Sequence, residues 1–224
     1  MSSSFKKIKA ILYKDMISEL RTREVTFSVL VFSLLVIVIF NFAFGVDRPT
    51  MEAVAPGVLW VAFAFAGVLA LNRTFIPEKE NGCLDGILSC PVSREDIFLG
   101  KMLSSLVFML VVEAITLPVF AVLFNLPVLS LQIIVVTVLS TIGFVAVGTL
   151  FSALAVNTRA REMVLPILFL PVAVPVIISA VKASEIALAG GGWGDISSWV
   201  LIIVAFDAVF VTVPYLVFNY VVEE

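Results

Sequence analysis

From Thr26 to Gly45 the chain runs without one charged residue, and five more long, charge-poor apolar stretches follow. A helix of about 17–25 predominantly apolar residues crosses a hydrocarbon core. Lipid offers no partner for a bare N–H or C=O, so the form these stretches take is the helix, whose backbone bonds are internal. The spans fall at 26–45, 55–71, 102–125, 129–156, 163–181 and 197–222. Hydrophobic residues make up 61% of the chain and charged residues 14%, against roughly 45–50% and ~25% in soluble domains. That balance excludes a soluble enzyme and a nucleic-acid reader, and no stretch is left for a large ectodomain. The expected fold class is all-α, a polytopic membrane protein with six transmembrane helices.

Charge sets the orientation. Of the 14 lysines and arginines, twelve lie in three segments: Lys6, Lys7, Lys9, Lys14, Arg21 and Arg23; Arg73, Lys79, Arg94 and Lys101; Arg159 and Arg161. Six spans put all three on one side, leaving Arg48 and Lys182 opposite. By the positive-inside rule both termini are cytoplasmic. Ahead of the first span, Phe5, Ile8, Leu12, Met16 and Leu20 form one apolar stripe at helical spacing, with basic residues on the other faces. Residues 1–25 therefore read as an interfacial amphipathic helix lying in the headgroup plane, and residues 26–224 as the transmembrane domain. No cleavable signal peptide is expected, since the apolar run starts late and is too long.

The chain has no histidine, so His-ligated metal and His acid–base chemistry are not available to it, and no metal site is expected. Cys83 and Cys90, if helical, stand ~10 Å apart at ~1.5 Å per residue, too far for a disulfide. They read as reduced cytoplasmic thiols.

The polar stretch 72–101 is far longer than a connection needs. Asn81-Gly82 breaks it and Pro91 divides it into two short helical pieces. Leu84, Ile87 and Leu88 follow Gly82 at helical spacing, and Ile97 and Phe98 follow Ser93. Ser93 is an expected N-cap, with Glu95 and Asp96 in the first turn, where the helix dipole favours acids.

Glu80-Asn81-Gly82-Cys83-Leu84-Asp85-Gly86-Ile87-Leu88-Ser89-Cys90-Pro91-Val92, with Ser93-Arg94 and Gly100-Lys101, resembles the cytoplasmic loop of ABC-2-type exporter permeases. Cys83 stands where Ser or Thr is usual. The resemblance implies a coupling helix that docks on an ATP-hydrolysing subunit, shaped by Glu80, Gly82, Leu84, Asp85, Leu88 and Pro91, with Arg94 offered to an acidic residue of that partner. A narrower resemblance lies in Ala55-Pro56-Gly57-Val58-Leu59-Trp60-Val61-Ala62, Leu69-Ala70-Leu71-Asn72-Arg73-Thr74-Phe75 and the proline-studded 165–178. These segments are similar to the second and fifth spans of CcmB-type permeases, the haem-exporter B subunits of cytochrome c maturation.

The chain has no G-x-x-x-x-G-K-[ST] motif to cradle ATP phosphates. The resemblance accordingly implies a separate CcmA-like ATPase that carries the ATP, a second copy of the permease, CcmC- and CcmD-like membrane neighbours and a CcmE-like haem chaperone, all at the cytoplasmic (inner) membrane. Haem is then cargo of the complex and no cofactor is bound by this chain. Without His, iron is expected to be held by the partners. Motion driven by ATP would then release haem-loaded chaperone, the competing mechanism being export of haem itself.

Glu113 and Asp207 lie near the middle of the third and sixth spans. A charge at that depth costs at least ~2.5–3.5 kcal/mol, so each is expected to be neutralised, paired or facing a cavity. One reading makes them polar points on the inner face or dimer interface. The other gives them a hydrogen bond to a neighbouring helix, as at Thr116 or Thr141. Pro166, Pro171 and Pro175 remove ladder donors from the fifth span and are expected to kink or unwind it, as a hinge or as ordinary kinking. In the glycine-rich loop 182–196 the run Gly190–Asp195 is expected to be flexible, with Trp193 and Trp199 as interfacial anchors. Two other functions fit parts of this pattern: an ABC-2 permease for another amphiphile, such as a drug or lipid-linked sugar, and a proton-coupled carrier using Glu113 and Asp207. The docking loop argues against the carrier.

Overall fold

Between Ser2 and Thr22 no glycine or proline interrupts the chain, and these residues form the first helix, α1. The computed structural model describes residues 2–22, 24–44, 48–75, 79, 82, 92–155 and 161–221. After α1 come α2 (Glu24–Phe44), α3 (Arg48–Leu71), α4 (Arg94–Phe124), α5 (Leu131–Ala155), α6 (Arg161–Leu188) and α7 (Trp193–Val221). Among the described residues there is no strand. Six helices, α2 to α7, are long and apolar enough to cross a membrane. The chain is an all-α, polytopic membrane protein.

α5 is the centre, packed against α3, α4, α6 and α7. Its residues explain the position. Thr137, Ser140, Thr141, Gly143, Ala146, Gly148, Thr149 and Ser152 are all buried, and small side chains let helix axes close on one another where lipid supplies no hydrophobic drive. Glycines mark close approaches of the helices, Gly148 of α5 against Leu71 of α3 among them. A Cβ on Gly143 would overlap the Asp207 carboxylate and the Phe206 ring of α7, and one on Gly67 of α3 would overlap the Phe144 ring of α5. That ring also meets Phe169 of α6 edge-on at 4.6 Å between centroids. α2, by contrast, turns Phe27, Leu35, Ile39 and Phe42 outward, an exposure that costs nothing against lipid tails.

Several boundaries differ from the sequence expectation. The second span starts at Arg48, within the stretch expected to be a polar loop. Pro49 sits in its first turn, where a proline forfeits no ladder bond. The piece after Ser93 is not a separate short helix; it runs straight into the third span as the 31-residue α4. A lone Gly100 costs only ~1 kcal/mol in a helix, too little to stop it. At ~1.5 Å per residue α4 is about 46 Å long, so its first turns project past a ~30 Å hydrocarbon core. The expected glycine-rich loop 182–196 shrinks to 189–192. Lys182 and Glu185 stay helical, paired at 2.8 Å across one turn. Pro166, Pro171 and Pro175 all lie inside α6. Pro171 and Pro175 face outward, and Ser179 donates to the Pro175 carbonyl at 2.8 Å.

Candidate functional site

Two places collect the polar residues: the junction where loop 72–101 joins the bundle, and the interior around α5. Of the loop positions expected to dock a partner, Gly82 and Arg94 are described. Glu80, Leu84, Asp85, Leu88 and Pro91, with Cys83 and Cys90, lie outside the described residues. Gly82 has φ +65°, with open space where a side chain would stand, and its N–H donates to the Lys79 carbonyl at 3.2 Å. A positive φ of this kind favours glycine, at a position the sequence marked as a break.

Both ends of the loop are firmly built. On the α3 side, Asn72, Arg73 and Thr74 wind down in successive turns on Val68, Ala70 and Leu71, and Phe75 is buried. On the α4 side, Ser93 is the N-cap, its hydroxyl accepting from the Asp96 N–H at 3.3 Å, with Glu95 and Asp96 in the first turn. Arg94 opens α4, half-buried.

Sequence reasoning missed what joins those ends. Lys101, only 4% exposed, donates to the Thr74 carbonyl at 2.9 Å and pairs with the Asp15 carboxylate of α1 at 3.2 Å. Its ammonium also lies 5.5 Å from the centre of the Phe75 ring. One turn further, the Ser105 hydroxyl meets that of Thr74 at 3.3 Å. Beside the pair, Ile11 of α1 packs on Gly100 where a Cβ would not fit. Asp15 also pairs with Lys14 at 3.2 Å, so the partner that loses most if the pair is broken is Lys101, and removing one partner of a buried ion pair costs up to ~3–5 kcal/mol. The available signal was on α1: Asp15 shares a helical face with Ile8, Ile11 and Leu12, where a solvated acid does not belong.

In the interior, Glu113 of α4 is 2% exposed, and its Oε1 lies 2.7 Å from the Thr141 hydroxyl of α5. Thr141 is thus the partner; Thr116 donates instead to the Val112 carbonyl of its own helix at 2.8 Å. The same Thr141 oxygen lies 2.8 Å from the Thr137 carbonyl. Glu113 Oε2 has no hydrogen-bond partner among the described residues. Glu113 lines a small crevice together with Trp60, Phe63, Met109, Thr141 and Phe144. Trp60 donates its indole N–H to Ser184 at 3.0 Å. Asp207 of α7 meets another stretch of α5, its Oδ1 against Gly143 and without a hydrogen-bond partner among the described residues. Trp193 opens α7, half-exposed, and Trp199 packs against the core.

The sequence family described as "CcmB protein" matches residues 6–223. The chain is similar to heme exporter protein B of Bradyrhizobium diazoefficiens, at 28% identity over 82% of this chain and 83% of that protein. It is likewise similar to the heme exporter protein B of Rhodobacter capsulatus, at 30% identity over 76% of this chain and 79% of the relative. The protein of that name in Pseudomonas aeruginosa is 28% identical over 72% and 73% of the two chains.

Proposed function

Because the chain belongs to the CcmB family, matched over residues 6–223, we propose that it is the membrane permease subunit of an ABC transporter complex for cytochrome c maturation. The observation that carries this reading is the extent of the match, which takes in all six span helices and the loop between α3 and α4. The relatives' name, heme exporter protein B, supports haem as cargo of the complex.

In this reading the chain hydrolyses nothing. A separate CcmA-like subunit carries the ATP and grips loop 72–101 through Glu80, Gly82, Leu84, Asp85, Leu88 and Pro91, with Arg94 facing an acidic residue on it. Two copies of the chain work with two ATPases, beside CcmC- and CcmD-like subunits and a CcmE-like haem chaperone. The basic asymmetry supports an inner-membrane placement with both termini and the loop in the cytoplasm. α1 lies in the headgroup plane.

Of the two ways such a complex could serve haem, release of a haem-loaded chaperone has the better support. The chain lacks histidine, and the crevice at Glu113 is small and lined mostly by apolar side chains such as Phe63, Met109 and Phe144. Haem iron is then held by partners while this chain transmits motion. A strain lacking the gene should make no c-type cytochrome on a haem-stained gel yet keep its b-type cytochromes. A deletion strain with every c-type cytochrome intact would sink the assignment.

A proton-coupled carrier makes the opposite prediction at Glu113. Gln keeps a group that bonds Thr141 but carries no titrating proton, so Glu113→Gln should leave c-type cytochrome yield within about twofold of wild type, a residue-level cost of a few tenths of a kcal/mol. Total loss of yield with normal insertion would favour the carrier.

A further inference from the structure

The junction at Lys101 joins more than the two ends of one loop. Lys101 holds Thr74, at the end of the α3 side, by 2.9 Å and Asp15, on α1, by 3.2 Å. One turn along α1, the Glu19 carboxylate accepts from both the backbone N–H and the hydroxyl of Thr26, at 2.9 and 2.5 Å. Thr26 lies in the first turn of α2, where bare N–H groups and the positive end of the helix dipole favour a carboxylate. Asp15 and Glu19 are four residues apart, on the same face of α1 as Ile8, Ile11 and Leu12, and all five are partly covered. α1 packs mainly on α4 and reaches α2. The same helix is therefore bolted at one point to the root of the docking loop and at another to the start of the first span.

We propose that α1 is a strut that carries displacement of the docking loop into the first span, with the Asp15–Lys101 pair and the Glu19–Thr26 cap as its two positioning contacts. The inference rests on the reading of loop 72–101 as the ATPase docking element. Its physical basis is stiffness. A helix with backbone bonds along its whole length moves as a rod, and α1 runs unbroken from Ser2 to Thr22. Parting the pair would take from the buried Lys101 ammonium its contact with Asp15, a loss that resists separation, although Asp15 keeps a second partner in Lys14 at 3.2 Å. α2 is the least covered of the six spans and touches α3 and α4 rather than the central α5. It is thus the span that can be tilted with the fewest side chains to repack.

Asp15 and Glu19 lie outside the residues assigned to docking, so the strut predicts uncoupling rather than loss of the partner. The test compares Asp15→Asn, Lys101→Gln, Glu19→Ala and the conservative Asp15→Glu in the complex isolated by a tag on this chain. ATPase bound, ATP hydrolysed and c-type cytochrome formed in cells are the readouts. The first three variants should retain bound, hydrolysing ATPase while cytochrome yield falls roughly tenfold, within the usual range of coupling between sites. Asp15→Glu should restore the yield. Glu19→Ala acts away from the loop, so it keeps the test decisive if Lys101→Gln fails to insert. Wild-type yield from Asp15→Asn and Glu19→Ala with ATPase bound overturns the strut alone. Loss of bound ATPase from both also overturns it, since the contacts would then merely build the docking surface. A wild-type chain that brings down no ATPase overturns the docking reading, and the strut with it.

Discussion

Exchanging Leu84 and Leu88 together for aspartate should strip the ATPase subunit from the complex and abolish c-type cytochrome formation, while the chain still inserts. Burying a leucine side chain is worth ~1.5–3 kcal/mol, so two anchors contribute several kcal/mol to docking, and each 1.4 kcal/mol is about tenfold in affinity. Placing carboxylates in that surface adds desolvation with no partner to offset it. Even the lower figure makes the loss at least ~100-fold. Insertion should survive because both roots of the loop are held by residues outside the exchange: Ser93 caps α4, and Lys101 fixes Thr74. The measurement is a pull-down through a tag on this chain, with membrane-extracted yield as the control. Undiminished ATPase in the pull-down would refute docking through this segment.

What could be read from the sequence divides along a physical line. Features set by a few neighbouring residues were legible. Six apolar runs gave six span-length helices, Ser93 with Glu95 and Asp96 gave the cap of α4, and Gly82, read as part of a chain break, has a positive φ. Glu113 was legible because a carboxyl at that depth must find a partner, and Thr141 was one of two hydroxyls named. Features set by packing were not legible. Nothing near Lys101 indicates that it is buried, since its acid lies 86 positions away on another helix. That α5 would be the central helix also follows only once α3, α4, α6 and α7 are wrapped around it. Boundaries failed for an intermediate reason. Polar residues such as Lys182 and Glu185 look like loop by composition, yet extend a helix past the apolar run by pairing across a turn.

Gly143→Val should leave little stably folded protein, the second large effect expected. Gly143 faces α7 where Asp207 Oδ1 and the Phe206 ring already occupy the space of a Cβ, and valine adds two methyl groups beyond it. Overpacking a tight interior costs ~1–3 kcal/mol and occasionally more. Relief is limited, because Phe206 packs on Phe210 at 4.4 Å between centroids and α5 also packs against α3, α4 and α6. The carboxylate is the part that can be removed. Asp207 Oδ1 has no hydrogen-bond partner among the described residues, so Asp207→Ala alone should cost little at that oxygen. In the Gly143→Val background it should recover part of the loss, because it vacates the volume the new methyls enter. Residues in contact show such non-additivity, typically ~0.5–3 kcal/mol, in a double-mutant cycle. Melting of the four detergent-extracted proteins, followed by size-exclusion fluorescence, measures it. Strict additivity, or a Gly143→Val protein that melts with wild type, would mean that α5 and α7 do not approach at this glycine. The same four strains, assayed for c-type cytochrome, separate the two readings of Asp207. A double mutant that regains both stability and yield makes the carboxylate a packing element, whereas stability without yield makes it a working polar group.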